Sequence, residues 1–475
     1  MSGLLGTLGM GHRALQAQRQ GIEVTGHNLA NVNNPDFARQ QVEFSPEYAT
    51  EVDGPTGVGV SVVNVAQVRD ALIDSQLRTE QSITGSLESK ISALEFAQAS
   101  LGQAIDRQEF GTDGTAATQG SAGTSGIANS ITGLFNAFQN VANDPTSLVE
   151  RRVAIEKASN LAAQFNQFHS RLQSLDQQLD LQIEDDTLKA NALLDEIALL
   201  NGTITRAESQ HPQTANDLRD VRIKKLEELS SLIGYQTSPN DDAGTEIRIG
   251  GELVISGENK IDQLALTRDQ DGKLSLELQN GGPVPGNVGG RIGGGIEAKD
   301  NDIQNLADNI DSLANTLITE VNRVHSTGFS LQGETGKDFF EGDSAASIAV
   351  KADLVKNPAA FQGSSDPSAT GNNAIALALA DLSLARHADL GNQTFSERFS
   401  ETVAQVGQAL QSTKANLEDQ NAVESLLQQQ RNSISGVSLD EEMTNLVKFQ
   451  KAFQASARLI SIVDDMLSTV VNLGN

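Results

Sequence analysis

The sequence predicts a mainly α protein: a long antiparallel helical bundle built from both chain ends, with a small inserted β domain and disordered or coiled-coil termini. Three observations carry this. Ten prolines in 475 residues leave long stretches free for uninterrupted helices, the last of them running from 368 to the end. Apolar residues recur at helical spacing through those stretches, whereas a period of two is confined to residues 247–278. Aromatics are 4% of the chain, with no Trp and two Tyr, so the core is built from Leu, Ile, Val and Ala. That composition suits long helices better than a pocket-bearing enzyme.

At the amino terminus Leu4, Leu8, Leu15, Ile22 and Leu29 fall roughly on one helical face, with Gly11, Ala14, Ala17, Gly21 and Gly26 among them. Small residues let another helix approach closely but lower intrinsic helicity, so this segment alone is expected to be marginal in water. Helical stripes follow at Leu87, Ile91, Leu94, Leu101 and Ile105, and again at Leu161, Phe165, Phe168, Leu172, Leu175, Leu179 and Ile183. Leu193, Ile197, Leu200 and Ile204 extend the second. Residues 111–126, rich in Gly, Thr, Ala and Ser, read as a flexible linker, and Asn143, Asp144 and Pro145 mark a turn.

From about Gly234 the period changes to two. Ile247 and Ile249, Gly250-Gly251, then Leu253 and Ile255 form a hairpin pattern; Leu264 and Leu266 lead through Asp271-Gly272 to a second at Leu274, Leu276 and Leu278. Residues 281–295 read as loop, and helix resumes at Leu306, Ile310, Leu313, Leu317, Val321 and Val324. Residues 348–355 are expected to add strand to the β unit. Residues 374–380, alanine-heavy and followed by Asp381, read as a packed helix. Near the carboxy terminus Leu439, Met443, Leu446, Phe453, Ala457, Ile460, Leu467 and Val471 follow steps of four and three. Phe449 and Val463 fill the lapses at Gln450 and Asp464. Ser438 and Glu441 have capping-box spacing at the start of that helix. The expected domains are 1–65 with 437–475 as a terminal assembly region, 66–234 with 296–326 and 372–436 as a helical rod, and 235–295 with 327–371 as an outward β-rich unit.

Charge narrows the function classes. The chain carries −28, a surface that disfavours phosphate backbones and anionic lipid, so neither nucleic acid nor membrane is expected as a partner. Residues 1–40 have net +1 and residues 437–475 net −2, which leaves about −27 for the segment between them. An acidic middle keeps monomers apart, while nearly neutral ends can pack side by side. Zero Cys removes disulfides, thiolate metal sites and cysteine nucleophiles. No basic cluster with an apolar run reads as a cleaved signal peptide, and no segment reaches the length of a membrane span.

Catalytic patterns are weak. His12, His27, His169, His211, His325 and His387 are scattered without metal-ligand spacing and are expected to be surface or packing histidines. Gly57-Val58-Gly59 and the glycines at 289–295 lack the rest of a phosphate loop and read as turns. Residues 269–272 hint at a calcium loop without its later ligands, and Asp185-Asp186 reads as a solvated face. No catalytic, metal or cofactor residue is expected.

Residues 26–40, GHNLANVNNPDFARQ, resemble the amino-terminal signature of the bacterial flagellar rod, hook and hook-associated proteins. Asn28, Ala30, Asn31, Pro35, Arg39 and Gln40 match. Asp36 and Phe37 stand where the family has Gly and Tyr, and Asp adopts a left-handed backbone less readily than Gly. Residues 428–453 resemble the carboxy-terminal signature of the flagellar hook-associated proteins, most specifically at Ser435, Gly436, Leu439, Asp440, Glu441 and Glu442. Residues 144–165, 217–234 and 328–340 resemble that family's middle, and only 341–373 stands where some relatives carry a further large β domain.

The resemblance implies a structural, non-enzymatic flagellar component joining hook to filament. It also implies export as an unfolded chain without a cleaved signal. The implied partners are further copies of itself in a ring or tube, the hook subunit, a second junction protein on the filament side, and an export chaperone on the carboxy-terminal helix. The subunit contacts are assigned to Leu4, Leu8, Leu15, Ile22, Leu29, Met443, Leu446, Phe449, Phe453, Ala457, Ile460, Leu467 and Val471. Because each stripe lacks a partner of its own, both ends are expected to be largely unfolded in the monomer and to order against neighbours. The alternatives are a hook or distal rod subunit, or a secreted helical-stalk adhesin.

Overall fold

The computed structural model describes residues 2–51, 54–101, 126–209, 214–239, 244–268, 273–284 and 288–473, with side chains described from 3 to 47 and from 59 to 470 within those ranges. Helix α1 (Ser2–Ala30) leads through a turn into an antiparallel hairpin of β1 (Gln40–Glu51) and β2 (Gly54–Gln67). Helices α2 (Ala71–Ser100), α3 (Ile127–Asn143), α4 (Leu148–Glu208) and α5 (Asn216–Leu232) follow. Next come a four-stranded sheet of β3 (Gln236–Pro239), β4 (Thr245–Ile249), β5 (Glu252–Ser256) and β6 (Asn259–Lys260), and a three-stranded one of β7 (Leu264–Arg268), β8 (Leu274–Leu278) and β9 (Gly282–Pro283). Helix α6 (Gly290–Glu297) runs through a π-helical turn (Ala298–Ile303) into α7 (Gln304–His325). The short strands β10 (Phe340–Glu341) and β11 (Ala349–Val350) and the helices α8 (Ala352–Lys356) and α9 (Ala374–Asp381) precede α10 (Phe395–Ser435) and α11 (Leu439–Leu473).

Local chemistry sets these boundaries. Ser147 caps α4 by accepting from the Glu150 N–H, just after Pro145, and with no further proline before 212 the two expected stripes fuse into one 61-residue helix. Thr394 and Glu397 close a reciprocal capping box at the start of α10. One hydrophobic core joins α2, α3, α4, α7, α9 and α10; a second joins the far half of α4 to α5, α6 and the two sheets. No residue of α1 or α11 belongs to either core.

Several expectations change. Residues 327–371 pack into the helical core through Phe339, Phe340, Ile348, Val350, Leu354 and Phe361, not onto the sheets, because these large side chains fill the space between α3, α4 and α7. Strand β11 pairs only with β10. The expected loop at 281–295 contains α6, whose glycines allow contact that no side chain would: a Cβ on Gly294 would stand 2.2 Å from the Ser86 carbonyl oxygen of α2. Tertiary packing there overrides a poor helix propensity. Gly57-Val58-Gly59 lies inside β2 rather than at a turn, with Gly59 at φ +137°. Asp186 is buried and 3.1 Å from Arg291, so only Asp185 belongs to a solvated face. The expected linker at 111–125, together with Ile105, His211, Pro285, residues 269–272 and the side chain of Val471, lies outside the described residues.

The two chain ends also meet within one molecule. Helices α1 and α11 pack along each other, and the hairpin lies against α1. The expectation of ends that wait entirely for neighbours is therefore corrected: each supplies the other with part of the missing core.

Candidate functional site: the joint between the chain ends and the body

The small residues of α1 make the seam. Gly11, Ala17, Gly21, Thr25 and Asn28 are its buried positions, whereas Leu4, Leu8, Leu15, Ile22 and Leu29 are only half-buried. A Cβ on Gly11 would stand 2.8 Å from Ile460 Cγ1, and one on Gly21 2.8 Å from Phe449 Cδ1. On α11, Leu446, Phe449, Phe453, Ile460 and Leu467 are half-buried and Val463 is buried, a repeat of three and four that keeps one side facing α1. Met443, Leu439 and Ala457, expected on the same stripe, face solvent. Phe44 of β1 lies against Phe449, ring centres 6.1 Å apart and planes tilted by 52°.

Where this coil meets the body, the motif residues of both ends converge. Asn28 and Gln40 bond reciprocally: the Gln40 N–H donates to Asn28 Oδ1 at 3.0 Å, and Asn28 Nδ2 donates to the Gln40 carbonyl at 2.8 Å. Asn28 Nδ2 also donates to Glu442 Oε2 at 3.0 Å, across 414 positions of sequence. Arg39 donates to Glu442 Oε1 at 2.8 Å and pairs with Glu441 at 2.9 Å. Glu442 is 2% exposed, so this charge is held by donors instead of water. The Arg39 N–H donates to the Ser435 carbonyl at 2.8 Å, binding the turn to the end of α10.

A second layer ties the same turn to α5 and α10. Gln40 Nε2 donates to Asp217 at 3.0 Å, and His27 lies 3.1 Å from the same carboxylate. Asp220 accepts from Arg69, Gln67 and the Ala38 N–H. Burial pushes the Asp220 carboxyl above its ordinary range, and the Arg69 guanidinium opposes it. Arg69 also reaches Asp74, and Arg431 pairs with Glu227, whose carboxyl burial likewise raises against the pull of Arg431. Lys224 pairs with Asp36 at 2.6 Å. Asp36 thus uses its carboxylate where the family has Gly, and it needs no left-handed backbone, since Asn392 is the non-glycine residue at positive φ among those described.

The joint gathers half of the expected motif residues, Glu441 among them through Arg39. Asn28, Arg39, Gln40, Ser435 and Glu442 meet in it. Asn31 bonds back to the His27 carbonyl, and Gly436 caps α10 with its N–H on the Asn432 carbonyl. Ala30, Pro35 and Asp440 are exposed and touch none of the buried network. Glu441 departs from the capping-box expectation: Ser438 Oγ accepts its N–H at 3.5 Å, but its carboxylate goes to Arg39. Sequence reasoning missed His27, Gln67, Arg69, Asp220, Glu227 and Arg431 as joint residues. The available signal was that His27, Asp220, Glu227 and Arg431 lie in stretches resembling the family, 26–40, 217–234 and 428–453.

Nothing in this arrangement places a nucleophile beside a base; most of its donors and acceptors are spent on one another, with Arg69 Nε and Asp74 Oδ1 buried without a hydrogen bond. It can hold three distant parts of the chain in fixed relation. Among the described residues no group of His, Asp and Glu could hold a metal ion, and no helix is long and apolar enough to cross a membrane.

Comparison with known proteins agrees with this geometry. Residues 118–340 match the family described as the FlgK helical domain of the flagellar hook-associated protein, and residues 428–473 the one described as the carboxy-terminal part of the flagellar basal body rod FlgEFG proteins. The flagellar hook-associated protein 1 of Bacillus subtilis is 25% identical over 97% of this chain and 96% of its own length. That of Escherichia coli is 22% identical over the whole of both. The flagellar hook junction protein FlgK of Burkholderia pseudomallei shares the fold, with a TM-score of 0.62 and 16% identity over 76% of this chain and all of that one. With both end motifs meeting in one joint and relatives of a single kind along nearly its whole length, the chain is a structural component of the bacterial flagellum, similar throughout to flagellar hook-associated protein 1.

Proposed function

We propose that the chain forms the junction between hook and filament, held there by its terminal helices against those of neighbouring subunits. The observation that carries this is what α11 leaves open. After seating on α1, it still exposes Leu439, Met443, Val447, Ile462 and Met466, each at least half accessible. Apolar side chains left in water on a helix that already has one partner favour a second. Contacts between unlike faces of identical subunits do not close on themselves, so they build a tube or ring about an axis. The nearly neutral ends permit that approach while the acidic body stays outside.

In this reading, residues 1–65 with 437–475 assemble, the helical body acts as a rod with 327–371 part of it, and the sheets spanning 236–283 face outward. The partners are further copies, the hook subunit, a second junction protein and, before assembly, an export chaperone that covers the open flank of α11. The chain leaves the cell unfolded, without a cleaved signal. The reading assigns it no catalytic role. Deleting residues 439–475 is expected to leave a soluble chain that cannot join the hook, and electron microscopy should show hooks without filaments. Normal filament growth on that truncation overturns the proposal.

A further inference from the structure

Of five clefts on the described surface, four contain at least one carboxylate among their lining residues. The fifth, of about 450 Å³, contains none and is lined instead by two arginines, Arg78 and Arg248. It opens where α2 of the body faces the turn between β4 and β5, beside the core that holds the sheets, against which Tyr235 and Val288 of its lining pack. In a chain of net charge −28 it is unusual for two cations to line a cleft with no carboxylate among its lining residues.

Neither guanidinium is fully used by its neighbours. Arg78 donates to the Thr237 hydroxyl at 3.3 Å. Arg248 reaches the Gly251 carbonyl at 3.5 Å and the Glu246 carboxylate only at 3.8 Å. Each fork has five N–H donors, so both retain donors for a carboxylate. The walls add the hydroxyls of Thr79 and Ser82. Gly250 and Gly251, at φ +60° and +91°, form the rim. A Cβ on Gly251 would meet nothing within 4 Å, which marks open approach to the backbone there.

We propose that this cleft binds an acidic peptide segment, and that in the assembled structure a second copy of this chain presents it. Arginines on two different elements, α2 and β4, with the hydroxyls of Thr79 and Ser82 also on the wall, suit carboxylates spaced along a peptide better than one small oxyanion. The second copy is argued from charge. Bodies of about −27 repel when packed side by side, and a carboxylate-free cleft with two cations turns part of that repulsion into attraction. The identity of the occupant rests on the structural reading above; binding of the peptide does not.

The probe is a fluorescently labelled hexaglutamate peptide, followed by anisotropy with the purified full chain at low ionic strength. Saturable binding is expected, weakened at least about tenfold in the double variant Arg78→Gln/Arg248→Gln and lost near 0.5 M salt. The charge-matched control Arg152→Gln/Arg386→Gln should bind as the parent does, and circular dichroism confirms the fold of each. Equal binding by both double variants, or none by the parent, overturns the cleft. Inorganic phosphate that displaces the peptide at equal carboxylate concentration overturns the peptide assignment in favour of a small-anion site. Sedimentation at low salt then tests the occupant: self-association is expected to weaken in Arg78→Gln/Arg248→Gln, and no change overturns the second copy while leaving the junction role to the truncation experiment.

Discussion

Glu442 shows what one residue does here. Its carboxylate is buried and its two oxygens accept from Arg39 and Asn28, so it joins the start of α11 to the end of α1. Breaking a buried charge pair by removing one member costs about 3–5 kcal/mol, since the other is left without a partner. Glu442→Ala is expected to speed hydrogen exchange along α11 and the last turns of α1 by a hundredfold or more, on the order set by that cost, with the body unchanged; uniform protection would contradict it. His325 is a second case. It is fully buried among Phe339 and Phe361, with Nδ1 on the Lys337 carbonyl at 2.8 Å and the Gln362 N–H donating to Nε2 at 3.0 Å. The bond accepted at Nε2 requires the neutral ring, and burial pushes its pKa from 6.5 down to about 4, against the Lys337 carbonyl, which favours the protonated form. The unfolded chain therefore binds the extra proton first, so this contribution is complete above pH 6.5 and is lost as pH falls toward 4. The loss amounts to roughly 3 kcal/mol. In His325→Phe, urea titrations across that range should show the stability gap to the parent narrowing by about this amount.

Among the elements, α1 depends most on its partner. Its glycines divide by environment: Gly21 lies against the Phe449 ring, whereas Gly26 has open space around its Cβ position. Gly21→Ala should therefore force Phe449 aside and cost about 1–3 kcal/mol. Gly26→Ala should stabilise the helix by about 0.5–1 kcal/mol, because only the unfolded chain loses freedom. Opposite shifts in the melting of the terminal coil, read by far-ultraviolet circular dichroism, check both. If both substitutions act alike, the packing of α1 on α11 is wrong. The stripe of Leu4, Leu8, Leu15, Ile22 and Leu29 was legible as helix from its spacing. Which side faces α11 was not, because two helices in close contact bury small residues at the seam and leave larger ones at its flanks.

At the scale of the whole molecule, the terminal coil and the body share no core residue, which predicts two unfolding events. Calorimetry of the full chain is expected to show a lower transition for the coil and hairpin and a higher one for the body, and truncation at residue 438 should abolish only the first. A single transition that the truncation shifts as a whole would mean that the joint couples the two units more tightly than their separate cores imply. Helical content, the two hairpins at 247–278 and the family motifs were all readable in one dimension. The hairpin β1–β2 was not, since glycines at 54, 57 and 59 mask its alternation; Gly59 adopts φ +137° because it has no Cβ, and α1 lies against it, with Met10 Cα 3.6 Å from its Cβ position.

By itself the sequence determined the mainly helical class, the acidic middle between nearly neutral ends, and the two motifs, since these depend on composition and spacing along the chain. Only the tertiary structure decided that Asn28 and Glu442 share a hydrogen bond, that residues 327–371 complete the helical core, and that Arg78 and Arg248 face one cleft. Each of these joins positions far apart in the chain, and burial and charge pairing between distant segments leave no periodic trace in the residues that provide them.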